Sequence, residues 1–166
     1  MSAHLKNKEI KKVLLTAPVK GGLKNIVYGV NHDDIQDTDK IIGAASCTTN
    51  AIVPVLSAID NEFKIDNGHV ETVHAYTNDQ NLIDNYHSKN RRGRAAALNM
   101  VLTETGAASA VSQVLPNLEG KISANAIRVP TPNVSLAILK LYLEKPSELE
   151  KFNEFLKQTA FHSLLK

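Results

Sequence analysis

The chain has 166 residues, room for one ordinary domain. Hydrophobic residues make up 43% and charged residues 22%, near the soluble globular average, which argues against disordered, collagen-like and coiled-coil classes. Lys and Arg number 19 against 17 Asp and Glu, and a net charge of +2 prompts no nucleic-acid or membrane partner.

In chain order, Lys11 to Pro18 reads as a short buried strand stopped by proline. Gly21-Gly22 marks a turn, and Asn25 to Val30 reads as a second strand. A polar connection from Asn31 to Lys40 leads to a third apolar strand, Ile41 to Ala45, which runs into Ser46-Cys47-Thr48-Thr49-Asn50. Ala51, Val55, Leu56 and Ile59 then recur at helical spacing, which predicts a helix to Phe63. Pro54 is tolerated only near a helix start, so the helix should begin close to Cys47.

Val70 to Tyr76, rich in β-branched and aromatic residues, reads as a strand. Asn78 to Arg94 reads as a long ordered loop, a class usually kept for function. Ala95 to Val101 and Ala107 to Leu115 read as helical stretches separated by Thr103-Glu104-Thr105-Gly106. Strands are expected over Ala124 to Val129 and Val134 to Leu143, around Pro130-Thr131-Pro132. Ser147-Glu148-Leu149-Glu150 has the form of a capping box, opening a helix with Leu149, Phe152, Leu156 and Ala160 on its apolar face. No internal repeat or linker interrupts the pattern, so one mixed domain is expected.

The single cysteine cannot form an internal disulfide, so no oxidising compartment is required. No apolar run reaches the ~20 residues of a membrane helix. The basic start, with Lys6, Lys8, Lys11 and Lys12, is followed only by Val13-Leu14-Leu15, too short for a signal-peptide core. A cytoplasmic location is the default expectation.

Cys47 is the sharpest chemical feature. A thiol at a strand-to-helix junction meets unpaired N–H groups and the helix dipole, which favour the reactive thiolate. The plain alternative is a small buried hydrophobe, but the hydroxyls of Ser46, Thr48 and Thr49 are not what an inert core cysteine needs. His74, on a strand face with Thr72 and Tyr76, is the candidate base; a half-exposed strand histidine is the plain alternative. Arg91-Arg92-Gly93-Arg94 is either a solvated basic turn or a phosphate site, since guanidinium forks match phosphate oxygens. Arg128, ahead of a rigid Val129-Pro130-Thr131-Pro132 segment, is aimed rather than free, and Thr105-Gly106 at a helix start offers a further anion cradle. The chain carries no Gly-x-Gly-x-x-Gly turn and no Walker loop. His4, His32, His69, His74, His87 and His162 form no ligand spacing with Cys47, so no metal is expected.

Ala45-Ser46-Cys47-Thr48-Thr49-Asn50 closely resembles the active-site signature of phosphorylating glyceraldehyde-3-phosphate dehydrogenases. Further segments follow in that family's order: Thr16-Ala17-Pro18, Gly29-Val30-Asn31, Val73-His74-Ala75-Tyr76-Thr77, Asn78-Asp79-Gln80, His87, Arg91-Arg92-Gly93-Arg94, Thr105-Gly106-Ala107-Ala108, Leu115-Pro116 and Arg128 to Ser135. The resemblance implies an α+β fold, a mixed, largely antiparallel sheet with helices on one face. It implies that Cys47 attacks the aldehyde of glyceraldehyde 3-phosphate, that His74 serves as its base, and that a Cys47 thioester is cleaved by inorganic phosphate to give 1,3-bisphosphoglycerate. Positions matching the family's two phosphate sites are Ser46, Thr48, Thr77, Arg92, Thr105, Gly106 and Arg128, and Thr16 matches a contact to the cofactor, NAD or NADP. Asn78 to Asn85 resembles the loop that reaches a neighbouring subunit in the family's homotetramers.

The same resemblance implies that residues 1–18 are the end of a dinucleotide-binding domain and that residues 19–166 are a catalytic domain incomplete at its C-terminus. Such a chain alone is expected to be inactive. Erythrose-4-phosphate dehydrogenase is the sister alternative, ranked second because Thr77 and Thr105-Gly106 stand in the triose-phosphate form. A stand-alone, thiol-reactive anion-binding or interaction module is the alternative from another class.

Overall fold

The computed structural model describes residues 1–103 and 105–162, without the side chains of Phe161 and His162. Glu104 of the expected separator, the His162 side chain and the last four residues of the expected catalytic domain lie outside this part. Nine elements organise it: β1 (Val13–Leu15), β2 (Ile41–Gly43), α1 (Cys47–Phe63), β3 (Ile65–Ala75), β4 (Val101–Thr103), α2 (Ala107–Val114), β5 (Ile122–Val129), β6 (Leu136–Leu143) and α3 (Leu149–His162). Strands β1 and β2 form a small parallel pair, and the main sheet has the order β4-β5-β3-β6. Within the main sheet β3 runs parallel to β5 and antiparallel to β6, while β4 runs antiparallel to β5. The sheet is therefore mixed, with two of its three pairings antiparallel, and the fold is α+β as expected.

Strand alternation sends Val70, Thr72, Ile122 and Ala126 to one face, where they are buried against the helices. Helix α1 supplies Ile52, Val53, Leu56, Ile59 and Phe63 to that core, a 3–4 spacing that makes one apolar stripe. Val111 and Val114 of α2 join them, and Phe152 and Phe155 of α3 close on Phe63 at ring-centroid distances of 5.2 and 5.1 Å. Burying a side chain of the Leu56 type stabilises by roughly 1.5–3 kcal/mol. The opposite face leaves Leu102, Leu136, Ile138 and Tyr142 exposed. His69 on that face lies 2.8 Å from Ser123 Oγ and 2.5 Å from Asn125 Oδ1.

Several expectations are corrected. The first strand is not buried: β1 is an edge pair with Leu14 exposed. Asn25 to Val30 is not a strand, because only Asn25 bridges to Gly43. Gly29 has φ +85°, and the N–H groups of Val30 and Asn31 both donate to Val27 O, curling the segment into a turn. Ala95 to Val101 is not a helix. Its alanines suit one, but the Ala95 and Ala96 N–H groups are taken by Asp84 Oδ1 and Asn81 O of the preceding loop, and Val101 pairs into the sheet. Pro54 stands well inside α1, where it removes a hydrogen bond to Asn50 O without ending the helix. The last helix begins at Leu149, one residue later than a Ser147 cap requires, and the Ser147 hydroxyl donates to Glu148 O.

Two features fix the frame around α1. Buried Asp60 accepts from Ile65 N–H at 2.9 Å and from the Asn117 amide, which ties the helix end to the start of β3. Gly43 of β2 packs where a Cβ would come within 2.9 Å of Ala17 O, Asn25 Oδ1 and Val19 Cγ1.

Candidate active site

The thiol is placed by the turn between β2 and α1. Ala45 takes φ +57°, a left-handed conformation uncommon for a residue with a Cβ, and this reverses the chain at the end of β2. Ser46 caps the helix: its Oγ accepts from Thr49 N–H at 3.1 Å and lies 2.7 Å from Thr49 Oγ1. Asn50 Nδ2 donates to Ala44 O and Ser46 O at 2.7 and 2.9 Å, holding the turn from within. Cys47 is thus the first residue of a 17-residue helix, exposed, its thiol 4.0 Å from Thr48 Oγ1. The first-turn N–H groups of α1, which have no partner within the helix, stand beside it.

β3 delivers the partner. His74, one residue from the strand's end, puts Nε2 3.7 Å from Cys47 Sγ. The histidine shares the helix-facing side with Thr72, as the alternation predicted. Its other nitrogen, Nδ1, lies 2.7 Å from Ala75 O and 2.7 Å from Arg128 Nη1. The parallel register pairs His74 with Arg128 directly. Burial holds the Arg128 guanidinium below its ordinary value, the charge of Arg92 pushes the same way, and Cys47 opposes both.

A cavity of about 440 Å³ opens in front of this pair. Ser46, Thr48, Thr77, Arg92, Thr105, Gly106 and Arg128 all line it, together with Cys47 and His74. Two of these residues also serve the backbone: Ser46 as the α1 cap and Thr105, whose Oγ1 accepts from Ala107 N–H at 3.2 Å. A second cavity of about 390 Å³ adjoins the thiol on its other side, walled by Ala51, Ile52, Tyr76, Pro132, Val134 and Leu136. Thr16 stands apart: it is exposed just past β1 and lines neither cavity.

The ordered loop before β4 brings a feature that sequence reasoning missed. Asp79 pairs with the Arg92 guanidinium and, at 3.1 Å, with Lys89, so a carboxylate is set among the cations of the first cavity. The loop is held by its own bonds, among them Asn81 N–H to Arg92 O and Asn85 N–H to Gly93 O. Asp79 belongs to Asn78-Asp79-Gln80, yet nothing in the local sequence assigns it a cation.

Residues 46–166 match the family model described as glyceraldehyde 3-phosphate dehydrogenase, C-terminal domain. The chain is similar to a glyceraldehyde-3-phosphate dehydrogenase-like protein of Pseudomonas aeruginosa (strain UCBPP-PA14), 64% identical over 166 residues, all of this chain and 36% of that protein. It is 49% identical over 154 residues to the chloroplastic glyceraldehyde-3-phosphate dehydrogenase A of Zea mays, covering 93% of this chain and 38% of the relative. With the glyceraldehyde-3-phosphate dehydrogenase of Zymomonas mobilis subsp. mobilis the identity is 46% over 160 residues, 96% and 47% of the two chains. The chain thus spans less than half the length of each of these relatives.

Proposed function

The chain belongs to the glyceraldehyde 3-phosphate dehydrogenase family, matching its C-terminal domain, and from that premise we propose that it carries the thiol half of a phosphorylating aldehyde oxidation. The observation that carries the reading is the 3.7 Å approach of Cys47 Sγ to His74 Nε2 in a cavity lined by Arg92 and Arg128. His74 takes the thiol proton, the thiolate adds to the aldehyde carbon of glyceraldehyde 3-phosphate, and the proton returns from His74 to the new alkoxide, which gives a hemithioacetal on Cys47 and a neutral imidazole. The α1 N–H groups offer donors to the oxygen that gains charge in that step. The substrate phosphate is held by Arg92 and Arg128 with the hydroxyls of Thr77, Thr48 and Thr105.

Oxidation of the hemithioacetal needs a hydride acceptor, which NAD or NADP supplies when bound. The fit of this chain to such a cofactor is partial. The apolar walls of the second cavity suit a flat ring beside Cys47, but the described residues hold no glycine-rich turn for a pyrophosphate. The cofactor is therefore assigned chiefly to a dinucleotide-binding domain, of which residues 1–18 are read as the end, with residues 19–166 as catalytic domain. The chain's own task is to remove the hydroxyl proton through His74 and to admit inorganic phosphate to the resulting thioester, releasing 1,3-bisphosphoglycerate.

This is a step of glycolysis and gluconeogenesis, and a reducing cytoplasm keeps the thiol unoxidised. The exposed Leu102, Leu136, Ile138 and Tyr142 of the outer sheet face, with Leu82, Ile83 and Tyr86 of the loop, suit the subunit contacts of a homotetramer in the full-length protein. Among the described residues no helix is long and apolar enough to cross a membrane.

The test is protection of the thiol. Glyceraldehyde 3-phosphate should shield Cys47 from iodoacetamide, unphosphorylated glyceraldehyde should shield it far less, and NAD with inorganic phosphate should yield no NADH from the 166-residue chain alone. Equal protection by the two aldehydes, or none, would remove the proposal. Stronger protection by erythrose 4-phosphate would move the substrate to the four-carbon sugar.

A further inference from the structure

A guanidinium can only donate hydrogen bonds, and a neutral imidazole has one N–H. At His74, Nδ1 has two neighbours with opposite demands. Ala75 O, 2.7 Å away, needs a proton on Nδ1; Arg128 Nη1, also 2.7 Å away, needs a lone pair there. Arg128 Nη1 is itself 3.2 Å from Ala75 O, so the arginine can satisfy that carbonyl in place of the histidine. The two arrangements put the ring's single proton on different nitrogens, and the nitrogen facing Cys47 changes character between them.

With Arg128 donating to Nδ1, the proton sits on Nε2, which then donates to sulfur and cannot accept from it. With Arg128 withdrawn, Nδ1–H donates to Ala75 O and Nε2 presents a lone pair to Cys47. We infer that Arg128 is a positioning residue that selects the tautomer of His74, and that an oxyanion in the 440 Å³ cavity frees the base by drawing the guanidinium away. The inference rests on the proposed role of His74 as the base for Cys47, and it deepens that role into a gate set by the anion.

The surroundings favour the same direction. Arg128 Nε is buried and has no partner among the described residues, so the guanidinium has a donor unused in this arrangement. The charged and titratable groups that line the two cavities with His74 are Cys47 from α1, Arg128 from β5, Arg92, Lys89 and Asp79 from the loop, Lys20, and Tyr76 just past β3. From β6 the nearest register positions are Leu136 and Ala137, which carry no charge. Four cations, Arg128, Arg92, Lys89 and Lys20, line the first cavity with one carboxylate, Asp79, so the cavity attracts an anion. The passage between forms is balanced: one proton leaves Nε2 for water, one arrives on Nδ1 from water, and net charge is unchanged. Once Nε2 is free it takes the Cys47 proton, and the imidazolium then donates to both the thiolate and Ala75 O.

The test is nitrogen NMR of the full 166-residue chain with labelled histidine, near pH 8, above the ordinary imidazole range. The His74 ring signals are assigned by their loss in His74→Gln, and ionic strength is held constant with chloride. Without phosphate His74 should carry its proton on Nε2; saturating inorganic phosphate should move it to Nδ1. Arg128→Met should show the Nδ1–H form with or without phosphate. An Nδ1–H ring in the phosphate-free wild-type chain overturns the inference, as does an Nε2–H ring that phosphate leaves in place. The wild-type comparison decides even where Arg128→Met does not fold. The readout needs no aldehyde and no dinucleotide, so failure of the dehydrogenase reading and failure of the gate are separate results.

Discussion

Cys47 Sγ and His74 Nε2 lie 3.7 Å apart although one belongs to the first turn of α1 and the other to the end of β3. Proton removal by a placed imidazole contributes about 10²–10⁴-fold to a step that depends on it. His74→Ala should therefore slow alkylation of Cys47 at neutral pH by about 10²-fold, leaving the far-ultraviolet spectrum unchanged. An unchanged alkylation rate would make the histidine a bystander.

Asp79 sits between Arg92 and Lys89 and competes with any anion for their charges. Asp79→Asn removes that competitor and raises the local charge by one. Inorganic phosphate should then bind several-fold more tightly, by about 1 kcal/mol, as measured by calorimetric titration, with a steeper salt dependence. Weaker binding would mean that the carboxylate serves mainly to hold Arg92 in place.

Gly43 has no room for a methyl group, because Ala17 O, Val19 Cγ1 and Asn25 Oδ1 surround the position. Asn25 is committed there, accepting from Val19 N–H and donating to Val19 O and Gln113 Oε1. Gly43→Ala should cost about 1–3 kcal/mol of stability, read as a lower urea midpoint with little change in slope.

Asp39 accepts from Lys24 Nζ at 2.8 Å and from Gln36 N–H at 2.8 Å, and the Lys24 bond first, then the Gln36 bond, hold its carboxyl below the usual aspartate value. A carboxylate with a depressed folded value stabilises above the unfolded value and loses that contribution as pH falls through the folded one. The contribution is thus complete at neutral pH and fades below the ordinary aspartate range. Asp39→Asn should flatten that part of the acid limb of the stability curve, and thermal melts across acidic pH would record it.

Legibility in the sequence followed the range of the interactions. The start of α1 was readable because the Ser46 cap and the 3–4 apolar spacing are local. His74 was readable as a strand residue with Thr72 on its face, again a local pattern. Its contact with Arg128 was not readable, because it depends on β3 and β5 pairing in parallel across about fifty intervening positions. The Asn25 to Val30 and Ala95 to Val101 expectations failed where side chains and loop carbonyls captured the backbone, which propensity does not encode. Asp79 escaped for a similar reason, since its cations arrive from the far side of the loop.

The two sheets differ in how firmly they are held, and this sets an order of failure. β1 and β2 have three residues each and one mutual ladder, whereas β3 is laddered on both sides beneath the fully buried Ile52, Val53 and Leu56. The strained Ala45 turn hangs from the weaker pair through Ala44 N–H to Leu15 O. Amide exchange should accordingly be fastest in β1, β2 and that turn. Mild warming would open this corner while the helices and main sheet stay folded, so loss of thiol alignment precedes melting, and the alkylation rate of Cys47 would change before the far-ultraviolet spectrum does.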